Sequence, residues 1–223
     1  MPETNNQNLI NESILKKRWK KFKTLKRGYY SLVALTVLYG ISFLLPILIN
    51  NRALIVKYDG SYYYPVFSGY IAGKEFGQDV PGEAKYRLLK NEFGLEKNIG
   101  NWVWMPPYPY SPFEDITTEG NKMYESPSKK HWLGTDNTGR DVFARLCYAF
   151  NISISFALIL TVINYVIGVL IGGTMGYFGG KFDLFFQRLI EIWSSLPMLF
   201  VIIILSSILK PSFLLLIGIY TLV

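Results

Sequence analysis

The chain is poor in the residues that usually build reactive centres: its 223 residues include one cysteine, Cys147, and one histidine, His131. A single cysteine excludes an internal disulfide, and these two residues do not supply the ligand spacing of a protein metal site. The histidine has no suitable cysteine or metal-ligand partner in the sequence. The sequence therefore predicts neither a catalytic centre nor a metal or other cofactor, and the protein is not expected to be an enzyme.

A nucleotide-binding phosphate loop is also absent. That loop requires a glycine, any four residues, and then Gly-Lys followed by serine or threonine. Counted from Gly180-Lys181, the required first glycine is replaced by Met175 and the required hydroxyl residue by Phe182. The glycine-rich stretch here must therefore serve another purpose.

Charged residues are scarce, at 17% of the chain, against about a quarter in a typical soluble domain. The deficit indicates that part of the chain lies in an apolar solvent. The net charge of +7 is concentrated in residues 1–28, which hold eight lysines and arginines against two glutamates. Because this basic arm adjoins an uncharged run, it is typical of the cytoplasmic flank of a membrane span.

Long apolar tracts are the main positive feature of the sequence. Residues 29–50, 150–176 and 192–209 are each long enough to cross a bilayer, since about 20 helical residues span its hydrocarbon core. A fourth apolar tract begins at 212–223. The sequence predicts an all-α polytopic membrane protein with the N-terminal arm in the cytoplasm.

The segment 51–130 forms a compositional island between the first two spans, rich in proline, tyrosine and tryptophan. Asp59-Gly60 suits the positive φ angles of a type I′ turn and predicts a β-hairpin. Residues 102–112, WVWMPPYPYSP, are expected to be extended and polyproline-like. We interpret the segment as a small irregular or β extracytoplasmic insert, whose aromatic residues either fill its interior or form a ligand surface.

The basic arm has an amphipathic pattern of its own. Leu15, Trp19, Phe22 and Leu25 recur at helical spacing among the lysines. An amphipathic helix lying on anionic lipid is the favoured interpretation. A nucleic-acid-binding arm is the alternative, and no nucleic-acid partner is expected.

Small residues form a stripe along the second predicted span. Gly168, Gly172, Gly176 and Gly180 follow one another at intervals of four residues, and Asn164 lies one turn earlier. Such a face lets another helix backbone approach closely, and an asparagine in lipid needs a hydrogen-bond partner. The pattern predicts that this span packs against protein.

The segment 177–191 is expected to be a cytoplasmic turn and helix, in which Arg188 and Glu191 are spaced to form an ion pair or simply to face solvent. Beyond it, Pro197 is expected to kink the third span, because proline cannot donate the helical hydrogen bond.

The segment 131–149 precedes the second span and combines turn residues with a short helix. After Gly134, either Thr135 or Asp136 is expected to cap the helix by accepting backbone N–H groups, with Arg140 and Asp141 opening it. Polar caps belong here because a helix must satisfy its first N–H groups before it enters lipid.

Two blocks of residues carry a family resemblance. The first comprises Gly134, Thr135, Asp136, Gly139, Arg140 and Asp141. The second comprises Gly176, Tyr177, Gly179, Gly180, Asp183, Arg188, Glu191 and Pro197. In this order and spacing they resemble the inner-membrane permease subunits of oligopeptide and dipeptide ABC importers. The long outer insert is similar to that of the branch that takes up microcin C and related peptides.

The resemblance implies an incomplete type I ABC importer permease fold and a role in forming the translocation pathway. It also implies the partners: a second permease subunit, two ATP-binding subunits that carry ATP hydrolysis, and an extracytoplasmic solute-binding protein. Family members contact the ATPase through a cytoplasmic loop after the fourth span, whereas this chain ends at Val223. The expectation is a C-terminally truncated permease that does not transport alone. The alternative is a stand-alone three-span membrane protein that presents an aromatic binding or sensor domain.

Overall fold

The structure is a computed structural model that describes residues 13–94, 100–116, 123–210 and 212–221. The start of the basic arm, two pieces of the outer insert and the last two residues of the fourth apolar tract lie outside the described residues. The chain divides into two units, Met1–Phe150 and Asn151–Val223, which are described separately.

The described part of the first unit contains five complete α-helices before the second span, a short 3₁₀ helix and a sheet. The helices are α1 (Ile14–Thr24), α2 (Lys26–Ser42), α3 (Leu45–Leu48), α4 (Pro65–Ser68) and, after the 3₁₀ turn Gly73–Phe76, α5 (Tyr86–Phe93). The strands are β1 (Ile55–Tyr58), β2 (Ser61–Tyr63) and β3 (Trp102–Trp104). The remaining helices are α6 (Val142–Phe178), α7 (Gly180–Ser194), α8 (Met198–Ile208) and α9 (Phe213–Thr221).

The predicted hairpin is confirmed. Strands β1 and β2 pair antiparallel, with Val56 opposite Tyr63. Between them, Asp59 and Gly60 have φ angles of +48° and +78°, the pair of positive values that a type I′ turn requires. Glycine adopts such a conformation without steric cost, so this dipeptide fixes the register of the hairpin.

Residues 102–112 are extended at their start, as expected, but the polyproline-like conformation expected there is wrong for Trp102–Trp104. Residues Trp102–Trp104 are strand β3, which pairs antiparallel with the free edge of β1 and places Val103 opposite Val56. The edge of β1 forms hydrogen bonds with the backbone groups of this segment, which in a polyproline helix would be hydrogen-bonded to water. The prolines follow the strand rather than interrupt it.

Two clusters of buried side chains hold this unit together. One lies beneath the sheet and consists of Ala53, Val56, Ile71, Phe76, Ala84, Tyr86, Leu89, Val103 and Met105. The other consists of Leu45, Ile49, Tyr108, Tyr110, Ile116 and Ala144. Alternate residues of the 102–112 segment therefore fill the interior, while Trp102 and Trp104 remain exposed. The interpretation of the aromatic residues as interior packing therefore holds for Tyr108 and Tyr110, and a ligand surface stays a prediction.

Helix α6 dominates the apolar part of the chain. It has 37 residues, a most apolar window with mean hydropathy 2.5, and no burial of that window against the rest of the protein. At 1.5 Å per residue it is about 55 Å long, more than a hydrocarbon core requires. Among the described residues it is the one unbroken helix long and apolar enough to cross a membrane.

The tracts expected as the first and third spans are interrupted. Helix α2 ends at Ser42 after 17 residues, and α3 follows with Pro46 in its first turn. Residues 192–209 are not one helix, because α7 ends at Ser194 and α8 begins at Met198, with a bend of 69°. Taken together, α7 and α8 qualify as one broken span.

Proline accounts for both interruptions. Neither Pro46, in the first turn of α3, nor Pro197, directly before α8, can donate a backbone hydrogen bond to the preceding turn. At the second break the Ser195 hydroxyl donates to the carbonyl of Ile192 at 2.6 Å, which satisfies one carbonyl at the end of α7. Pro197 then stands immediately before α8.

Candidate functional site at the start of helix α6

Asp141 is the residue that caps α6. Its Oδ1 accepts the backbone N–H of Ala144 at 2.8 Å, and the side chain is completely buried. The expectation that Thr135 or Asp136 caps the helix is therefore wrong, and so is the expectation that Arg140 and Asp141 are its first residues. The helix begins at Val142, one residue after its cap.

Asp136 instead organises the loop that leads to the cap. Its Oδ1 accepts the backbone N–H groups of Thr138 at 2.8 Å and Arg140 at 2.9 Å, together with the Thr138 hydroxyl at 2.8 Å. Its Oδ2 forms an ion pair with Arg145 in the first turns of α6. Because both carboxylate oxygens are bound by these groups, the Asp136 side chain is not available to cap the helix.

These contacts lower the pKa of Asp136. Burial alone would raise it, but the hydrogen bonds from Arg140 and Thr138 and the positive charge of Arg145 outweigh burial and lower the pKa to about 2. Each of these donors favours the ionised form. The loop is therefore built around a charged carboxylate.

Two glycines permit the loop to close. Gly134 and Gly139 have φ angles of +73° and +69°, in the left-handed region that glycine adopts most readily. At Gly134 an added Cβ would lie 2.3 Å from the carbonyl oxygen of Glu125. Around them, Thr135 and Asp141 form an antiparallel bridge, and the Thr135 hydroxyl accepts the N–H of Glu125 at 2.7 Å.

A buried polar network lies behind the cap. The Oδ2 of Asp141 accepts the hydroxyl of Tyr108 at 2.7 Å and lies 2.8 Å from Nδ1 of His131. Neither His131 nor Asp141 is exposed to any degree. Burial, and then the hydrogen bond to Asp141, raise the pKa of the Tyr108 hydroxyl. That hydroxyl in turn accepts the backbone N–H of Trp132 at 3.3 Å.

The network is extended by a second, less buried cluster. The ring of Tyr110 lies 4.5 Å from that of His131, between centroids, and the guanidinium of Arg87 lies 4.7 Å from the Tyr110 centroid. Arg87 forms a two-bond ion pair with Glu114, at 2.7 and 2.9 Å, and donates to the carbonyl of Pro109 at 2.5 Å. Helix α5, the proline-rich segment and the start of α6 are thereby joined within the first unit.

The network is not arranged for catalysis. A histidine paired with an aspartate resembles the base of a catalytic triad, but the His131 ring is fully buried and its Nε2 lies 3.7 Å from Glu125 Oε2, beyond hydrogen-bond length. No hydroxyl or thiol nucleophile is hydrogen-bonded to that nitrogen in the described part of the chain. Nor do those residues contain a group of three His, Cys, Asp or Glu side chains placed to hold a metal ion. The arrangement fixes where α6 begins.

Sequence reasoning missed His131 and Tyr108 as members of this site. The sequence signal was weak, because His131 is ten residues from Asp141 and Tyr108 is thirty-three. A single histidine with neither a cysteine nor a second histidine nearby in the sequence does not indicate a functional role. Its position at the beginning of the same block as Asp141 was the available clue.

Arg140 joins the loop through its backbone rather than as the first residue of the helix. Its N–H donates to the Asp136 side chain at 2.9 Å, and its carbonyl accepts the Asp136 N–H at 2.9 Å. Its buried Nε has no hydrogen-bond partner among the described residues. The structure therefore brings all six residues of the first block into one loop, from Gly134 to Asp141.

The other predicted residues lie along α6, α7 and the break before α8. Asn164 is exposed, and open space surrounds the positions where a Cβ would stand at Gly168, Gly172 and Gly176. Helix packing at this stripe stays a prediction.

The predicted cytoplasmic turn contains a tight change of direction. Gly179 and Gly180 both have positive φ angles, +57° and +55°, between α6 and α7. The Asp183 N–H donates to the Gly179 carbonyl at 3.3 Å, and Tyr177 is 83% exposed. Farther along α7, Arg188 and Glu191 form an exposed ion pair at 2.6 Å, the kind that contributes little to stability.

Comparison with curated proteins gives clear relatives. Over 197 residues the chain is 42% identical to the inner membrane ABC transporter permease protein YejE of Escherichia coli, which covers 88% of the chain and 57% of the relative. Over 231 residues it is 33% identical to the peptidoglycan transport system permease protein YejE of Agrobacterium fabrum, covering 92% and 59%. The dipeptide transport system permease protein DppC of Bacillus subtilis is 41% identical over 103 residues, covering 46% and 31%.

The chain spans a little under three fifths of the length of the first two relatives. No protein-family model matches the chain. No solved structure matches it significantly.

We predict that Asp141→Asn destabilises the first unit by about 2 kcal/mol, because an amide cannot accept all the hydrogen bonds that the carboxylate accepts and leaves a buried donor unsatisfied. Glu191→Gln is the matched control, since it makes the same chemical change in an exposed pair and is expected to cost less than about 1 kcal/mol. Unfolding of the purified chain in detergent, followed by pulse proteolysis, measures both. Equal effects of the two substitutions would contradict the role given to Asp141.

We also predict a pH dependence that belongs to Asp136. Its pKa is lowered from 3.8 to about 2 on folding, so its contribution to stability is complete above about pH 4 and is lost as the pH falls toward 2. The difference in Tm between the wild type and Asp136→Asn should therefore shrink over that range. Asp79→Asn, at an exposed position outside the loop, is the control. A difference that stays constant from about pH 5 to pH 2 would contradict the prediction.

Proposed function

Since its sequence groups the chain with the peptide ABC transporter permeases of the YejE branch, we propose that it is a permease subunit that forms part of the translocation pathway of an ATP-driven peptide importer. The observation that carries the proposal is 42% identity extending over 88% of the chain. An apolar helix of 37 residues, whose most apolar window is not buried against the rest of the protein, supports it independently. Permeases of this kind are not themselves catalytic, because ATP hydrolysis lies on separate subunits.

The orientation in the membrane is part of the proposal. We place the basic arm 1–28 in the cytoplasm, the segment 51–130 outside and the segment 177–191 in the cytoplasm. The excess of lysine and arginine in the arm supports this arrangement. The Escherichia coli relative is named an inner membrane protein, which supports the bacterial cytoplasmic membrane as the location.

The partners we propose are a second permease subunit, ATP-binding subunits and an extracytoplasmic solute-binding protein. The glycine stripe Gly168, Gly172 and Gly176, with Asn164 beside it, is the face we assign to the second permease. The open space beside each glycine suits the close approach of another helix. An exposed asparagine on the same face would find its hydrogen-bond partner there.

The substrate we propose is a peptide or a molecule that carries a peptide. The relatives are named for dipeptide and peptidoglycan transport. Residues 1–223 by themselves are expected not to import peptide, because ATP hydrolysis in an importer of this class lies on separate subunits. The stand-alone sensor is the weaker candidate, since the similarity to permeases extends across the spans and the outer segment alike.

Two measurements test the proposal. Labelled-peptide uptake is measured in a bacterium lacking every subunit of its own YejE-type importer and supplied with residues 1–223 alone, and we expect no uptake above background. A tagged form of the chain, expressed with the other transport subunits of its own organism, is expected to purify with the second permease. Purification without the second permease would contradict the assignment, and uptake by residues 1–223 alone would contradict the dependence on partners.

A matched pair of variants tests the interface. Gly172→Leu introduces bulk into the stripe, and we expect it to reduce recovery of the second permease at least tenfold, which is about 1.4 kcal/mol. Val166→Leu adds a side-chain carbon at an exposed position on another face of α6 and is expected to leave recovery unchanged. Equal recovery with both variants would contradict the assignment of this face.

A further inference from the structure

Helix α1 is a separate, strongly basic element that the transport function does not explain. Its eleven residues, ILKKRWKKFKT, include six lysines and arginines and no acidic residue. The helix is well defined at its start, where the Ser13 hydroxyl accepts the backbone N–H of Lys16 at 3.3 Å. It is therefore an ordered surface rather than a charged tail.

One side of α1 is apolar and uncovered. Leu15, Trp19 and Phe22 lie at intervals of four and three residues and so share one face. Leu15 is 78% exposed and Trp19 49%. The rings of Trp19 and Phe22 stack at 5.7 Å, and the Lys23 ammonium lies 5.8 Å from the Trp19 centroid. The face is a narrow aromatic stripe bordered by cations.

The stripe is attached to the beginning of an uncharged helix. Leu25 has a non-helical ψ of 73° and separates α1 from α2. Across the break, the Phe22 ring contacts that of Tyr29 at 6.4 Å and lies within 3.6 Å of where a Cβ at Gly28 would stand. Because Phe22 rests on the first turn of α2, α1 has a fixed place beside the point where the uncharged residues of α2 begin.

We propose that α1 binds the surface of an anionic phospholipid bilayer, with Leu15 and Trp19 inserted among the headgroups and the lysines in contact with lipid phosphates. Charge complementarity selects the partner, since each lysine or arginine near an anionic leaflet adds to the attraction. The apolar stripe favours a lipid surface over a nucleic acid as the partner. A nucleic-acid phosphate backbone would bind the lysines and arginines but would leave Leu15 and Trp19 exposed to water. This inference rests on the proposed function as a membrane permease, because it requires that α2 lies in the bilayer.

The test uses the whole chain in lipid nanodiscs, with a spin label on one cysteine and Cys147→Ser as background. Leu15→Cys reports the apolar face of α1, and Thr24→Cys reports the opposite face without a change in charge. Val162→Cys, exposed in the middle of α6, reports whether the chain is inserted at all. Accessibility to oxygen and to a water-soluble nickel complex is measured for each label, in discs of phosphatidylcholine alone and with an equal share of phosphatidylglycerol.

In the anionic discs, the label at position 15 is expected to be protected from nickel and accessible to oxygen, and the label at 24 to show the reverse. Changing Lys16, Lys20 and Lys23, which flank the stripe on one side, to glutamine should lower the equilibrium constant for surface binding by roughly 100-fold, at about fivefold for each charge. The label at 15 should then become accessible to nickel. The control changes three exposed lysines of the outer segment, Lys74, Lys90 and Lys129, to glutamine and is expected to have no effect.

Protection at position 15 that is the same in both kinds of disc and in the lysine variant would overturn the proposal, as would equal exposure of positions 15 and 24. Exposure of the label at 162 to nickel would instead count against the membrane function. A gel-shift assay of the purified chain with duplex DNA and with RNA distinguishes a lipid surface from a nucleic acid as the partner of α1. Binding to nucleic acid together with exposure at position 15 in anionic discs would overturn the lipid assignment.

Discussion

The structure depends on how a helix of 37 residues, whose most apolar window is not covered by its own chain, begins at a membrane. Its first backbone N–H groups have no partner within the helix, and hydrocarbon offers none. Asp141 satisfies the N–H of Ala144 from a fully buried position. Since that carboxylate is itself shielded from water, it requires partners of its own, and Tyr108 and His131 supply them.

That requirement accounts for part of the outer segment. An aspartate buried at the start of a helix is tolerated only among hydrogen-bond donors held in place by packing. Tyr108 and Tyr110 provide the donor and the packing, and the Arg87–Glu114 pair anchors the second of these rings through the guanidinium of Arg87. Two other buried aromatic residues of the segment, Phe76 and Tyr86, belong instead to the cluster beneath the sheet.

Local chemistry could be predicted from the sequence, and long-range pairing could not. Asp59-Gly60 specifies its own backbone conformation, and Pro197 removes a hydrogen bond wherever it stands, so the hairpin and the break before α8 follow from single residues. Whether Asp136 or Asp141 caps the helix depends on which of the two carboxylates is not already hydrogen-bonded within the loop. His131 acquires a role only once Tyr108 and Asp141 have been brought beside it by the fold.

The central claim is that a bilayer separates the basic arm from the sheet. Single cysteines at Lys20 and Tyr62, each exposed, are introduced with Cys147→Ser as background and treated with a membrane-impermeant thiol reagent in intact spheroplasts. The account predicts that Tyr62→Cys is labelled at once and Lys20→Cys only after the membrane is permeabilised. Labelling of Lys20→Cys but not of Tyr62→Cys in intact cells, or of both equally, would contradict it.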